Sequence, residues 1–168
     1  MGVADHRAAS ARDRTIPYAV LTVSDSRTVE TDTSGPLIRR LFDEAGHRLV
    51  DAELVRNDPR QIQAAVRRLL QGPALCLVVT GGTGAGPRDV TVDTVLPLLE
   101  KELPGFGELF RWLSYQEIGS AAVMSRALCG VSRETVVYCL PGSEAAVRLA
   151  VSKLVLPELP HLIWTVRR

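Results

Sequence analysis

The sequence predicts an α/β protein of three layers, a mostly parallel sheet with helices on both faces. Two observations carry the prediction. Short apolar, β-prone runs alternate with segments whose apolar residues recur at helical spacing, and that alternation builds parallel sheets covered by helices. Polar or glycine-rich turns follow the predicted strands, the sharpest being Thr80-Gly81-Gly82-Thr83-Gly84-Ala85-Gly86-Pro87-Arg88-Asp89 between an apolar run and a helix start.

Residues 1–16 place Asp5, Arg7, Arg12, Asp13 and Arg14 among small residues, and a disordered tail is expected there. Residues 17–168 are expected to form a single domain. Tyr18–Val23 reads as the first strand and ends at the polar turn Ser24-Asp25-Ser26-Arg27. Thr28–Ser34 is too polar to pack and reads as a loop, with Asp32 or Ser34 capping a helix that carries Leu37, Ile38, Leu41 and Phe42. Gly46 stops that helix. His47–Val55 reads as a second strand. Asn57-Asp58-Pro59 opens the next helix, with Asn57 or Asp58 as N-cap and Pro59 near the first turn. Ile62, Ala65, Val66, Leu69 and Leu70 form its buried face, and Gly72-Pro73 breaks it.

Ala74–Val79 is the third strand. After the glycine loop, Val92, Val95, Leu96 and Leu99 mark a helix that Pro97 kinks. Phe106–Ile118 is amphipathic and holds Phe106, Phe110, Trp112 and Tyr115; core packing is the plain reading, a subunit interface the second. Thr135–Leu140 is the fourth strand and turns at Pro141-Gly142-Ser143 into a long helix toward Pro157. The Leu159–Val166 tail is apolar enough to dock on the body.

The bulk composition narrows function. Lys+Arg 20 against Asp+Glu 19 gives a net charge of +1, which points away from nucleic acid and membrane surfaces. No apolar run approaches the roughly 18 residues of a membrane span, and the polar N-terminal stretch lacks a signal core, so a cytoplasmic location is expected. Cys76, Cys129 and Cys139 form no C-x-x-C pair and read as structural thiols. His6, His47 and His161 lack metal-ligand spacing.

In parallel α/β sheets, ligands bind beyond the carboxyl ends of the strands. The turns Ser24-Asp25, Asn57-Asp58, Thr80–Asp89 and Pro141-Gly142-Ser143 should therefore crowd one edge. A glycine loop before a helix lets several backbone N–H groups approach one phosphate, and the helix dipole favours the negative charge. The loop is neither a Walker A motif, since Pro87 and Arg88 replace its Lys and Ser/Thr, nor a dinucleotide fingerprint, since Pro87 stands at the third glycine. Backbone groups of Gly82–Gly84 are expected to hold phosphates beside Thr83 and Arg88. Asp58 and Asp89 are expected to orient Mg²⁺, and Ser125 and Arg126 to meet a second anionic group. The plainer alternative makes Asp58 a helix cap, and Ser125-Arg126 an exposed loop pair.

Read together, Val23–Arg27, TGGTGAGPRDVT at Thr80–Thr91, FGELFRWLSYQEIG, Ser125-Arg126 and Leu140–Ser143 resemble the MoaB/MogA family of molybdenum cofactor biosynthesis, over roughly Tyr18–Leu162. The FGELFR-x-LS-x-x-EIG stretch looks more like the MoaB branch. The resemblance implies a MogA-like, molybdopterin-binding fold and two possible functions. One is an enzyme that joins the phosphate of molybdopterin to AMP from Mg-ATP, releases pyrophosphate, and passes adenylyl-molybdopterin to a downstream metal-insertion protein. The other is a carrier or scaffold that holds the pterin without transfer. It implies a trimer or a hexamer. Carried over residue by residue, Gly81–Gly84 would bind phosphate, Asp89 would be the essential loop carboxylate, Ser125 and Arg126 would join the pterin pocket, and Pro141, Gly142 and Ser143 would line the site beside it. The family reads V-P-D-[DE] after the second strand, whereas this chain reads Val55-Arg56-Asn57-Asp58. An amide at 57 cannot neutralise a cation as a carboxylate does, so Asp58 is expected to take that role.

Overall fold

The computed structural model describes residues 15–168. The expected tail lies outside the described residues except at its inner end. Ile16 is buried, and its carbonyl accepts from Arg48 N while its own N–H reaches His47 Nδ1, so the fold begins before Pro17. His47 packs edge-on against Phe42, and burial lowers its pKa.

Six strands form one sheet: β1 (Pro17–Val23), β2 (Arg48–Val55), β3 (Cys76–Thr80), β4 (Lys101–Glu102), β5 (Leu128–Ser132) and β6 (Thr135–Leu140), in spatial order β2-β1-β3-β6-β5-β4. The pairs β1–β2, β1–β3 and β3–β6 are parallel, as expected. The β4–β5 and β5–β6 pairs are antiparallel, and neither β4 nor β5 was expected. Ser132 pairs with Thr135, so Arg133-Glu134 is a two-residue hairpin, and Arg133 adopts the positive φ of 55° that such a turn demands. Asn-Gly or Asp-Gly would have announced the turn; Arg-Glu does not.

Helices α1 (Ser34–Glu44), α2 (Pro59–Gln71), α3 (Thr91–Val95), α4 (Pro104–Ile118), α5 (Glu144–Ala150) and α6 (Leu156–Val166) cover the sheet. Alternate strand residues feed opposite faces. Tyr18, Val20, Cys76, Val78, Val136 and Tyr138 pack with α1, α4, α5 and α6. Ala19, Leu21, Leu77, Val79, Val137 and Cys139 pack with α2 and α3. The thiols sit inside this packing, and burial pushes Cys129 up to about 12, which leaves it protonated.

Pro97 converts the end of α3 into a short 3₁₀ turn, Leu96–Leu98. Val151–Val155, a widened π turn, joins α5 to α6, so helix runs on past Pro157 and Pro160 to Val166 instead of stopping near Pro157. Glu144–Val166 is long and apolar enough in principle to cross a bilayer. Here its stripe of Val147, Val151, Val155, Leu159 and Ile163 is buried against the sheet, and the charged residues Arg148, Lys153 and Glu158 interrupt the apolar run.

Candidate functional site

The chain leaves β1 to make β2 on one side, then crosses back to make β3 on the other, so the strand order reverses between β1 and β3. Loops leaving these two strands diverge there and open a crevice. A cavity of about 520 Å³ occupies it. Ser24, Asp25, Ser26 and Arg27 line it from the first loop and Asn57 from the second. Thr80, Gly81, Gly82, Gly86, Pro87, Arg88 and Asp89 come from the third, and Gly142 follows β6. The expected convergence of four turns on one edge is therefore present.

Each glycine has a local cause. Gly81 adopts φ +98° after β3, and a Cβ there would meet the Val23 carbonyl of the neighbouring strand. Gly82 adopts φ +63°, and its Cβ would lie 2.5 Å from both Asn57 Oδ1 and Thr91 Oγ1. Gly84 and Gly86 leave space for the Asp89 carboxylate, which would approach their Cβ atoms to 2.7 and 2.8 Å. That carboxylate folds back into its own loop, where Asp89 Oδ2 accepts from Gly86 N at 2.9 Å. Thr91 Oγ1 closes the loop from below by donating to Gly81 O at 2.7 Å.

The first loop is braced in the same way. Ser24 Oγ accepts from Arg27 N at 3.1 Å, and Asp25 Oδ1 accepts from Asn57 N at 3.0 Å, tying the β1 turn to the β2 turn. Asp32, not Thr33 or Ser34, satisfies the start of α1: its carboxylate accepts from Ser34 N, Gly35 N and Thr22 Oγ1. Ser34 lines the cavity and donates to Gly142 O at 2.7 Å.

Several expected site residues do other work. Asp58 lies outside the cavity lining; it is the extended N-cap of α2, with Oδ1 accepting from Gln61 N at 2.9 Å. Ser143 likewise caps α5, accepting from Ala146 N. Pro141 contributes its carbonyl to Thr80 Oγ1 at 3.1 Å. Thr83 is buried, and its carbonyl accepts from Arg126 N at 3.2 Å. Ser125 and Arg126 line a second cavity, of about 410 Å³, with Arg111, Leu103, Val123 and Cys129. There Ser125 Oγ is buried without a partner, and Arg126 grips Asp93 with both terminal guanidinium nitrogens. That hydrogen-bonded pair holds the Asp93 carboxyl below its ordinary value and Arg126 above its own. The Thr83–Arg126 bond joins the two cavities through backbone.

Arg27 and Ser34 were missed as site residues. Arg27 stood in the first polar turn, and Ser34 at a helix start on the same edge, so topology was the signal for both. Mg²⁺ binds through one or two carboxylates plus substrate phosphates. Asp89 fits that pattern, because it faces the cavity with one carboxylate oxygen engaged and the other without a hydrogen bond. Asp58 does not fit it.

The fold and the site together are those of a three-layer α/β domain with a ligand crevice at its switch point, edged by a glycine loop, two arginines and a carboxylate. A family model described as "Probable molybdopterin binding domain" matches residues 19–161. Molybdenum cofactor biosynthesis protein B of Bacillus subtilis (strain 168) is 48% identical over 151 residues, covering 89% of each chain. The Bacillus cereus protein of the same name is 45% identical over 170 residues, covering 100% of this chain and 99% of its own. Among solved structures, a molybdenum cofactor biosynthesis protein B superposes with a TM-score of 0.89 at 46% identity, covering 92% of this chain and 97% of that one. The tungsten cofactor synthesizing protein MoaB from Pyrococcus furiosus gives 0.84 at 36% identity, covering 92% and 99%. The chain belongs to the MoaB/MogA family of molybdenum cofactor biosynthesis, nearer to its MoaB branch.

Proposed function

We propose that this chain, in the cytoplasm, binds molybdopterin by its phosphate and joins that phosphate to AMP from Mg-ATP. A pterin phosphate oxygen attacks the α-phosphorus of ATP; the bond to the β-phosphate breaks, and pyrophosphate leaves. The observation that carries this reading is the placing of Gly81, Gly82, Arg88 and Asp89 around one cavity at the β1/β3 switch point. Phosphoryl and nucleotidyl transfer depend on positioning and charge neutralisation more than on a protein nucleophile. Gly81 and Gly82 take the left-handed turns that seat the loop beside β1 and Asn57 and so shape the cavity for phosphates. Arg27 and Arg88 offset their charge. Asp89 is the residue to hold Mg²⁺, which when bound supplies the charge that the departing pyrophosphate needs. The second cavity, with Ser125 and Arg126, suits the pterin end, one backbone bond away from the glycine loop.

Incubation with molybdopterin and Mg-ATP tests the reading: adenylyl-molybdopterin and pyrophosphate should form. Pterin binding without product would establish the carrier reading instead, which Asn57 favours because its amide brings no charge to the cavity. Asn57→Asp is expected to raise turnover about tenfold by adding a carboxylate for the Mg²⁺ that the phosphates share; steady-state kinetics decide it.

We also propose a homo-oligomer, a trimer or hexamer. Leu109, Trp112, Tyr115 and Ile118 stand exposed on α4, and Val123 and Met124 continue the patch. Aromatic-rich apolar patches of this kind mark interfaces. Light scattering should give a mass of three or six chains, and Trp112→Asp should shift it to a single chain. The product would pass to a downstream metal-insertion protein.

A further inference from the structure

We infer that Asp25 is the second metal-holding carboxylate of the glycine-loop cavity, the role that Asp58 does not fill. The inference rests on the proposed reading for the phosphate that would share the cation.

The cavity is lined by two carboxylates, Asp25 and Asp89. They sit on the loops that leave β1 and β3, neighbouring parallel strands whose axes run about 4.8 Å apart. Each is fixed in the same manner. One oxygen takes a backbone N–H, from Asn57 to Asp25 and from Gly86 to Asp89, and the other oxygen makes no hydrogen bond. Asn57 touches both loops, its N–H on Asp25 and its amide against Gly82. Its side-chain Oδ1 is buried against Gly82 and has no donor. The wall of this cavity thus presents three oxygen acceptors that no neighbouring group engages, and of these Asn57 Oδ1 is sealed from solvent. A sealed acceptor without a donor is costly, and the two solvent-accessible carboxylate oxygens beside it leave negative charge unbalanced. A hard cation with its bound waters satisfies such a set, because Mg²⁺ takes oxygen ligands, keeps water, and completes its shell from phosphate.

Arginine does not remove this surplus. Arg27 is engaged by Thr33 Oγ1 and lies 3.9 Å from Asp32, whose carboxylate already caps α1. Arg88 is exposed at the rim and has no hydrogen-bond partner there, which leaves it for a phosphate. Asp58, which caps α2 through Gln61 N, does not line the cavity.

Mn²⁺ serves as a paramagnetic stand-in, its uptake measured by electron paramagnetic resonance with and without pyrophosphate. Asp25→Asn keeps an acceptor for Asn57 N and removes the charge. Asp58→Asn keeps a competent helix cap. With pyrophosphate present, Asp25→Asn should weaken Mn²⁺ uptake about tenfold, Asp58→Asn should stay within about twofold, and Asp25→Glu should recover most of the loss. Unchanged uptake by Asp25→Asn, or an equal loss in Asp58→Asn, overturns the inference. The two failures are separable. Asp25-dependent uptake without any adenylyl-molybdopterin sustains the inference and removes the transferase reading. Transfer by Asp25→Asn with the wild-type Mg²⁺ dependence does the opposite.

Discussion

Asp89→Asn should reduce adenylyl transfer by about 100-fold or more, the scale seen when a preorganised electrostatic group is removed from an active site. The substitution separates two roles that the carboxylate combines. Asp89 Oδ2 braces the glycine loop by accepting from Gly86 N, and an asparagine oxygen can accept the same bond. What asparagine loses is the negative charge facing the cavity, the charge that would hold Mg²⁺. Asp89→Ala removes the brace as well and opens the space that Gly84 and Gly86 leave for the carboxylate. Both variants should keep the fold, because the loop is a surface segment and the β3 core beneath it is untouched. If Asp89→Asn turns over normally while Asp89→Ala fails, Asp89 is a strap for the loop and the metal lies elsewhere. Equal, deep losses in both place the charge in the reaction. The assay is product formation at saturating Mg-ATP, with thermal unfolding as the control for structure.

The parallel half of the sheet was legible in the sequence because its strands are short, apolar and followed by turn residues, and because each helix between them repeats at helical spacing. The antiparallel half was not. β4 has two residues, too few to show any period, and β5 contains a cysteine and a glycine and has no turn signal before β6. The site divides along a similar line. Which loops meet follows from strand direction alone, so Ser24, Asp25, Asn57, Gly81 and Gly142 could be placed at one edge before any coordinate was known. Which side chain faces inward depends on one or two backbone dihedrals, and adjacent residues part there. Asn57 lines the cavity while Asp58, in extended conformation with ψ 125°, turns to cap α2. A run of two polar residues before a proline contains both outcomes, and only the chain's path after β2 selects between them. Ser125 and Arg126 are a third case. Their chemistry suits an anion, yet their backbone follows a 3₁₀ turn that sets them in a neighbouring cavity and gives Arg126 to Asp93.

Gly81→Ala should cost about 3 kcal/mol or more of stability, near the upper end for a single substitution. Two penalties add. At φ +98° an alanine is in a region that L side chains rarely adopt, which costs on the order of 1–3 kcal/mol. Its Cβ also enters the Val23 carbonyl, a backbone atom that cannot swing aside as a side chain would. Relief requires β1 and β3 to part where Thr22 pairs with Thr80, or the loop to give up the bond from Gly81 N to Leu140 O. Gly105 supplies the comparison. It lies in the first turn of α4, its added Cβ meets nothing within 4 Å, and Gly105→Ala should be neutral or stabilising by roughly 0.5 kcal/mol, since alanine loses less chain entropy than glycine. Urea unfolding at one fixed protein concentration measures both, because an oligomer's midpoint moves with concentration. A Gly81→Ala variant as stable as Gly105→Ala would mean that the loop is free to rearrange, and the cavity would then be shaped by its ligand. A large loss confined to Gly81 means that sheet geometry fixes the loop before any ligand arrives, which is the preorganisation that charge-stabilised transfer requires.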